Sequence, residues 1–366
     1  MILHVYFAKK FLWIIAGLTA VLFALIALAD LVDLLQTFSD NDDVGLPQVV
    51  RLMMLKAPGS INQILPLILL LSTIVLFLAL ARSSEMVVTR AAGRSAIRSL
   101  LGPVCVTLFI GFIAVTTLGP LVTAFSNQFA KLNESYRTGV DATLSISAEG
   151  LWLRQGNEDG QTVIRATQSS PDAGVLFDVT FLSYTPDGAP DKRIEASSAA
   201  LGKGVWTLRN AKLWTLSDGG NPESSAQTHD TLFVPSNLTQ DRIRETIGTS
   251  SGVSIWDVQE FLQRLEQAGF SSKRHRVWFQ EELSRPLFLM SMVLIGAAFT
   301  MRHTRFGGTG GAVISAVMLG FAMYFARSFA VILGENGQLS VPLATWAVPI
   351  AANLLALGFI LQAEDG

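Results

Sequence analysis

Ionisable side chains within apolar runs are the residues of this sequence whose chemistry is most informative. Arg327 lies deep in a long apolar run, and Asp30 and Asp33 share one helical face at the end of another. A charge among apolar residues needs an oppositely charged partner or access to water, because its desolvation is costly. The sequence therefore predicts three alternatives for Arg327: it binds a lipid phosphate, pairs with the two aspartates, or extends its guanidinium to the membrane headgroups.

Residues 82–98 carry a second pattern, in which one acidic residue stands among basic ones. Glu85 follows Arg82 and precedes Arg90 in a short amphipathic segment that Gly93 ends. Such a segment presents a charged surface that a partner protein can contact. Taken alone, the same pattern also fits a connector that lies on the membrane surface.

Enzyme chemistry has little support in this sequence. It contains no Gly-x-x-x-x-Gly-Lys-Ser/Thr phosphate loop, so we expect no ATP hydrolysis by the chain itself. The four histidines lack metal-ligand spacing, and the single cysteine, Cys105, excludes a disulfide framework and a cysteine-based metal site. The net charge of -2 provides no basic field for nucleic acid. We therefore expect no catalytic residue, metal or cofactor.

Long apolar runs must position the charged residues. Half of the 366 residues are apolar and only 15% are charged, against roughly a quarter in soluble proteins. Six runs are long enough for a helix to cross a hydrocarbon core about 30 Å thick. They cover residues 11–29, 61–81, 100–118, 283–301, 312–333 and 341–361. In the fifth run, Ala312, Ala316 and Gly320 permit close approach of another helix, from this chain or from another subunit.

Basic residues in the short connections predict the orientation of these spans, since such residues stay on the cytoplasmic side. They precede the first span, join the second to the third, and join the fourth to the fifth. Both termini are then cytoplasmic, and the connection between the third and fourth spans lies outside. An alternative for the first run is a signal peptide cleaved near residues 27–29. The length of the run favours a retained helix.

The long connection between the third and fourth spans predicts an inserted all-β domain. Phe177, Val179 and Phe181 alternate with Asp178 and Thr180, so the first three are expected on one face of a strand. Short runs of this kind, separated by turn signals, predict a sandwich, jelly roll or barrel. Its interior is either a lipid-sized apolar cavity or an ordinary filled core. We therefore divide the chain into residues 1–119, 120–282 and 283–366.

In this arrangement the chain resembles the LptF/LptG family, the paired permeases of the lipopolysaccharide export transporter, and its G-type subunit more than its F-type. One matching segment reads Ser84-Glu85-Met86-Val87-Val88 and continues to Ala91-Ala92-Gly93. The other begins at Ser254-Ile255-Trp256, runs through Leu262, Leu265 and Gly269, and reaches Leu283 and Pro286-Leu287. Its first part predicts a helix from Ser254 with one apolar face, formed by Val258, Phe261, Leu262 and Leu265. The resemblance covers nearly the whole chain as three spans, a β-jellyroll and three spans.

The resemblance implies a multi-pass permease of the bacterial inner membrane with a periplasmic inserted domain. It implies a heterodimer with an LptF-type homologue, an LptB-type cytoplasmic ATPase dimer that hydrolyses ATP, and an LptC-type membrane-anchored periplasmic protein. Lipopolysaccharide would enter laterally from the outer leaflet and pass through the jellyroll to a periplasmic bridge. Glu85, together with Arg82, Arg90 and Gly93, would form the coupling helix that contacts the ATPase.

Two charges depart from the pattern that the resemblance implies. Where the family has a basic residue at the outer end of the first span, this chain has Asp30, and Arg327 stands at an acidic position of the fifth span. Arg137, at the entrance to the β domain, matches a basic position better. The implied lipid contacts are Arg137, Arg327, Asp30, Asp33, Phe177 and Phe181. Two other functions fit this architecture: a membrane-anchored periplasmic lipid-binding scaffold, and a mechanotransmitting permease of another ABC exporter.

Overall fold

The chain folds into two compact units. The computed structural model describes residues 2–39, 44–91, 95–137, 144–147, 150–157, 160–170, 174–186, 188–202, 204–216, 222–236, 238–239, 253–267, 271–301 and 309–365. One unit, here called the spanning unit, comprises Met1–Phe129 and Arg276–Gly366. The other, here called the sheet unit, comprises Ala130–His275.

Long apolar helices build the spanning unit. Within the part of the chain that the structure describes, six helical stretches are long and apolar enough to cross a membrane, as the apolar runs predict. In chain order the helices are α1 (Ile2–Thr37), α2 (Leu46–Arg82), α3 (Glu85–Ala91), α4 (Ala96–Ile113), α5 (Gly119–Arg137), α6 (Val258–Gln267), α7 (Lys273–Thr300), α8 (Thr309–Glu335) and α9 (Val341–Asp365). A π-helical segment, Ala114–Leu118, joins α4 to α5, so the third span is one continuous helical stretch.

Small residues and a proline allow the spanning helices to pack closely. Gly111 of α4 approaches Pro286 of α7 so closely that a β-carbon at Gly111 would lie 2.8 Å from the proline α-carbon. Gly320 of α8 packs against Leu70 of α2, with no room for a β-carbon between them. Ala316, one turn earlier on α8, is fully buried. The small-residue row of α8 therefore packs within this chain.

Among the described residues of the sheet unit, seven antiparallel strands form a single sheet. They are β1 (Leu144–Ser147), β2 (Gly150–Asn157), β3 (Gly160–Ser169), β4 (Val175–Tyr184), β5 (Pro190–Leu201), β6 (Val205–Thr215) and β7 (Gln227–Pro235). Each strand pairs with the next along the chain, so the order is a meander from β1 to β7. The all-β insertion predicted from the alternating residues is thereby confirmed.

A crease crosses the middle of this sheet. Asp178 of β4 and Asn210 of β6 adopt left-handed backbone conformations, with φ of 49° and 50°. Between them, the Ser197 hydroxyl of β5 donates to the Arg209 carbonyl at 3.0 Å and accepts from Asn210 Nδ2 at 3.2 Å. Each left-handed residue and the residue before it both point outward, whereas strict alternation would place them on opposite faces. The strand pairing before and after each left-handed residue keeps the same register. The sheet therefore bends along this row without losing its hydrogen-bond ladder.

The crease folds the sheet onto itself, so that its buried face becomes the inside of a sandwich. Phe181 of β4 pairs with Ile194 of β5, which pairs with Leu213 of β6, so Phe181 lies level with Leu213. In a flat strand, Leu213 and Trp206 would lie roughly 23 Å apart. The rings of Phe181 and Trp206 nevertheless meet edge to face, with centroids 6.0 Å apart, and both side chains are fully buried. Gln155 of β2 also donates a 3.2 Å hydrogen bond to a carbonyl at the end of β7. These contacts require the two halves to face each other.

The crease also corrects an expectation about β4. Strict alternation predicts that Phe177 shares a face with Val179 and Phe181, but Phe177 is 42% exposed and Leu176 is fully buried instead. The reason is the left-handed conformation of Asp178, which shifts the alternation by one position. Phe177 therefore lies on the outer face, and the expectation that it points to the interior is wrong.

Helix α6 covers part of the buried face of the sheet. Leu265 is fully buried in the core that the strands share, and Phe261 packs against the same core, as the predicted apolar face requires. The helix begins at Val258 rather than Ser254, because residues 254–257 form a turn closed by a 3.0 Å backbone hydrogen bond. Gly269, expected to end the helix, lies outside the described residues.

Candidate functional site

Helix α3 is held against the spanning unit on one face and is exposed on the other. A sharp turn at Ser84, with φ of 58°, separates it from α2. Met86 is buried in the hydrophobic cluster that contains Phe7 of α1, whereas Val88 is 68% exposed. Arg82, the last residue of α2, is also exposed. The outward surface of this segment therefore combines an apolar side chain with a basic one.

Glu85, the first residue of α3, turns towards α1. Its carboxylate accepts hydrogen bonds from Lys10 Nζ at 3.1 Å and from Ser83 Oγ at 2.8 Å. Partial burial acts to raise the pKa of Glu85, but the hydrogen bonds from Ser83 and Lys10 outweigh it and leave the pKa below its ordinary value. The acid expected to contact a partner protein is therefore also an intramolecular link between α1 and α3.

Of three other predicted residues, two are described only by their backbone and one is not described. Arg90 belongs to α3 and Arg137 is the last residue of α5, but the side chains of both lie outside the described residues. The whole of Gly93 lies outside them as well. The roles expected for these residues in coupling and in lipid binding therefore stay predictions.

Arg327 of α8 is paired within the spanning unit. Its side chain is 9% exposed, and its Nη2 lies 3.2 Å from Glu281 Oε1 and 3.3 Å from the Glu281 carbonyl oxygen. The guanidinium also stacks on Phe288, with its central carbon 4.6 Å from the ring centroid. On the same helix as Glu281, Arg285 pairs with Glu282 at 2.7 Å. Two acids and two arginines thus balance one another in the fourth and fifth spans.

The aspartates expected to pair with Arg327 have other surroundings. Asp30 accepts hydrogen bonds from two side chains of α2, Lys56 Nζ at 2.7 Å and Ser60 Oγ at 3.4 Å. Asp33 is exposed. The alternative that Arg327 pairs with Asp30 or Asp33 is therefore wrong, because Arg327 pairs with Glu281, which the sequence analysis did not single out.

The position of Glu281 explains why sequence reasoning missed it. The fourth apolar run begins at residue 283, which leaves Glu281 outside the predicted span. The helix begins earlier, at Lys273, so Glu281 lies inside it and its side chain reaches α8. The sequence does contain one signal for this pair. The polar triplet Gln280-Glu281-Glu282 comes immediately before the fourth apolar run, and the fifth run contains the basic residue Arg327.

Helix α7 also makes polar contacts with α9. Trp346 donates from its indole N–H to Gln280 Oε1 at 3.0 Å, and Asn353 donates to the Leu287 carbonyl at 2.9 Å. A side-chain hydrogen bond between membrane helices is worth roughly 0.6 kcal/mol on average. Together with the pair formed by Arg327, these bonds fix the relative positions of the last three spans.

An apolar crevice of about 200 Å³ lies between α2, α7 and α8. Its lining includes Leu67 and Leu70 of α2, Met292 of α7, and Phe321 and Tyr324 of α8. Almost all of this lining is hydrocarbon or aromatic surface, which suits a hydrocarbon chain better than a polar ligand.

A larger cavity, of about 610 Å³, lies between the two halves of the folded sheet. Thr162, Ser183 and Leu213 line it from one side of the crease, and Leu232 and Val234 line it from the other. The mixture of apolar and hydroxyl side chains suits an amphipathic ligand. The space between the two halves of the sheet is therefore filled around Phe181 and Trp206 and hollow next to Leu213 and Leu232.

Within each unit, the described residues that were expected to bind lipid have different surroundings. Arg327 contacts Glu281, and Asp30 contacts Lys56. Phe181 belongs to the filled part of the sheet core, and Phe177 lies on its outer face. The cavity in the sheet is lined instead by residues that alternation alone did not single out.

Comparison with known proteins places this architecture in a family. Residues 5–362 match the family described as Lipopolysaccharide export system permease LptF/LptG. The chain is 21% identical over 328 residues to the lipopolysaccharide export system permease protein LptG of Haemophilus influenzae, covering 88% of each chain. It is 23% identical over 279 residues to the LptG protein of Escherichia coli K12, covering 74% of this chain and 73% of that protein. The family match spans all six candidate membrane helices and the inserted sheet, and the chain therefore belongs to the LptF/LptG family of lipopolysaccharide export system permeases.

Proposed function

We propose that this inner-membrane permease takes lipopolysaccharide from the outer leaflet and passes it through the sheet unit to a periplasmic bridge. The observation that carries the proposal is the cavity of about 610 Å³ between the halves of the folded sheet. Its lining combines apolar side chains such as Leu213 and Val234 with polar and charged ones such as Ser183 and Lys192, which suits a molecule with both acyl chains and polar groups. The apolar crevice between α2, α7 and α8 supports the same proposal, because an acyl chain fits such a lining.

The proposed topology has both termini in the cytoplasm and the sheet unit in the periplasm. Lys9 and Lys10 near the start of α1, Arg82 at the end of α2 and Arg98 at the start of α4 support it, since basic residues of short connections stay on the cytoplasmic side. The sheet unit follows the third span and is on the opposite side in this topology.

The proposed partners are an LptF-type homologue, an LptB-type ATPase dimer and an LptC-type periplasmic protein. Helices α1 and α8 support a second membrane subunit, because each exposes a row of large apolar side chains that lipid or another helix must cover. On α1 these are Trp13, Val21, Leu25 and Leu28, and on α8 they are Ile314, Met318, Phe325 and Phe329. Val88 of α3 is exposed and therefore available for contact with a cytoplasmic ATPase, which in this proposal hydrolyses the ATP for this chain.

Photo-crosslinking tests the proposed path through the sheet. A photo-reactive residue at Leu213 or Leu232, which line the cavity, should capture lipopolysaccharide during ATP turnover. The same residue at Phe177 is the matched control, because Phe177 lies on the outer face of the same sheet. Capture at both cavity positions and none at the control supports the path. Equal capture at all three positions, or none at any of them while lipopolysaccharide is exported, contradicts it.

A further inference from the structure

The wall of the cavity in the folded sheet changes from polar to apolar between two neighbouring rows of residues. One row, here called the polar rung, lies in register on β2 to β5 and lines the cavity with Gln155, Thr162, Ser183 and Lys192. Two positions further along the same strands, the next inward row is buried and apolar, with Leu153, Ile164, Phe181 and Ile194. Ile194 also lines the cavity, together with Leu213 and Leu232. The cavity therefore has a polar end and an apolar end.

The neutral members of the polar rung are held in place by hydrogen bonds. The hydroxyl oxygens of Thr162 and Ser183 are 3.1 Å apart. Gln155 donates from its side-chain amide to the Pro235 carbonyl at 3.2 Å and accepts from the Ser236 hydroxyl at 2.9 Å. Hydroxyl and amide groups fixed in this way can donate to and accept from the polar part of a ligand.

Lys192 is the charged member of the polar rung. Among the described residues that line the cavity, it carries the only positive charge. Its Nζ lies 3.5 Å from Asp191 Oδ2, and 51% of the Lys192 side chain and 33% of the Asp191 side chain are exposed. An ion pair this exposed contributes little, because water screens it. A phosphate group, which carries more negative charge than a carboxylate, can therefore take the place of Asp191.

We propose that the cavity binds a phosphorylated amphiphile in one orientation, with a phosphate of its head group at Lys192 and an acyl chain against Leu213 and Leu232. The hydroxyls of Thr162 and Ser183 lie next to Lys192 on the rung and meet the polar part of the head group. The reverse orientation would place the phosphate among leucines, where its desolvation is costly. This inference rests on the proposed function, in which the amphiphile is lipopolysaccharide, and adds the orientation and the residue that contacts the phosphate.

Photo-capture by the purified full-length chain tests this orientation without ATP or partner subunits. A photo-reactive residue at Leu232 reports binding of lipopolysaccharide in detergent. Lys192→Gln should lower capture on the order of fivefold, the effect of losing one exposed charge contact. Arg193→Gln is the matched control and should leave capture unchanged, because the neighbouring Arg193 stacks on Trp214 and does not line the cavity. Asp191→Asn should capture at least as much as the wild type, since it removes the carboxylate that competes for Lys192. Unchanged capture by Lys192→Gln, or an equal loss in Arg193→Gln, overturns the proposal.

Dephosphorylated lipopolysaccharide shows whether Lys192 contacts a phosphate. The wild type should capture it about fivefold less than intact lipopolysaccharide, and Lys192→Gln should capture both forms equally, because the contact is already lost. If dephosphorylation lowers capture by Lys192→Gln as much as by the wild type, the inference fails. It also fails if the wild type captures no lipopolysaccharide in detergent. Capture in detergent but none in an exporting complex is a different outcome, because it contradicts the proposed path and leaves the binding site standing.

Discussion

Arg327 of the fifth spanning helix and Glu281 of the fourth form an ion pair, with 3.2 Å between Nη2 and Oε1, in which the arginine side chain is buried and the glutamate side chain is partly buried. The ring of Phe288 covers the guanidinium, and the Glu281 carbonyl oxygen gives it a second acceptor. An arginine in this setting stays charged because the acid, the carbonyl and the ring replace its lost hydration. Removal of one partner leaves an orphaned charge, whereas removal of both leaves none.

We expect Arg327→Ala to destabilise the protein by roughly 1–3 kcal/mol, because it leaves the partly buried Glu281 without its charged partner. Adding Glu281→Gln should restore part of that stability. Asp30→Asn is the matched control, since Asp30 pairs with Lys56, and it should give no rescue. Thermal unfolding of the purified variants measures both effects. Equal rescue by Asp30→Asn would contradict the pairing, and weak lipopolysaccharide binding by the stable Arg327→Ala/Glu281→Gln variant would assign Arg327 to lipid phosphate.

The membrane part of the fold was predictable from the sequence, but its charge pairs were not. Long apolar runs identify spanning helices because a helix must satisfy its own backbone polar groups in lipid. Which acid meets Arg327 depends on where α7 begins and how it is rotated, and neither is encoded in hydropathy. The same holds for Lys56, which neutralises Asp30 from a neighbouring helix that the sequence does not link to it.

Asp178 tests the crease in the sheet. Its φ of 49° is unfavourable for a residue with a β-carbon, so Asp178→Gly should be neutral or stabilising. Asp178→Val should cost about 1–2 kcal/mol, because a β-branched residue tolerates this conformation least. Thr180→Val, on the same strand, is the control and should have little effect. Thermal unfolding gives the ranking, and a Val variant as stable as the Gly variant would contradict the left-handed conformation.

Trp206 tests whether the sheet is folded onto itself. Trp206→Ala should destabilise the protein by about 3–5 kcal/mol, since it removes a fully buried ring that packs on Phe181. Trp206→Phe keeps an aromatic ring against Phe181 and should cost clearly less. Thermal unfolding and limited proteolysis of the sheet unit measure the difference. If Trp206→Ala leaves both unchanged, the two halves of the sheet do not pack on each other.

Glu223 gives the sheet unit a reporter of pH. Hydrogen bonds from Lys212 and from the Trp214 indole N–H hold the pKa of Glu223 below its ordinary value. A depressed carboxyl pKa means that these contacts are complete above about pH 4.3 and are lost as the pH falls through the lower value in the folded protein. The indole NMR signal of Trp214 should follow this titration and should not shift in Glu223→Gln. A midpoint at or above about 4.3 would show that the contacts do not favour the ionised acid.

Alternation in the sequence predicted the strands of the sheet but not its crease or its cavity. Alternation located most of the strands, because one face of an antiparallel sheet is buried. It misplaced Phe177, since a single left-handed residue reverses the alternation and nothing in the local sequence announces that Asp178 adopts this conformation. The cavity is formed by residues from strands on both sides of the crease, such as Leu213 and Leu232, so it exists only once the sheet has folded over.

ATP-driven extraction of lipopolysaccharide is the most direct test of the account. This permease, reconstituted in proteoliposomes with its proposed LptF-type, LptB-type and LptC-type partners, should transfer labelled lipopolysaccharide from the bilayer to a soluble periplasmic acceptor protein. This transfer should require ATP hydrolysis and should stop with a non-hydrolysable analogue. Lipopolysaccharide that stays in the bilayer during ATP turnover, or leaves it at the same rate without ATP, would contradict the proposed function.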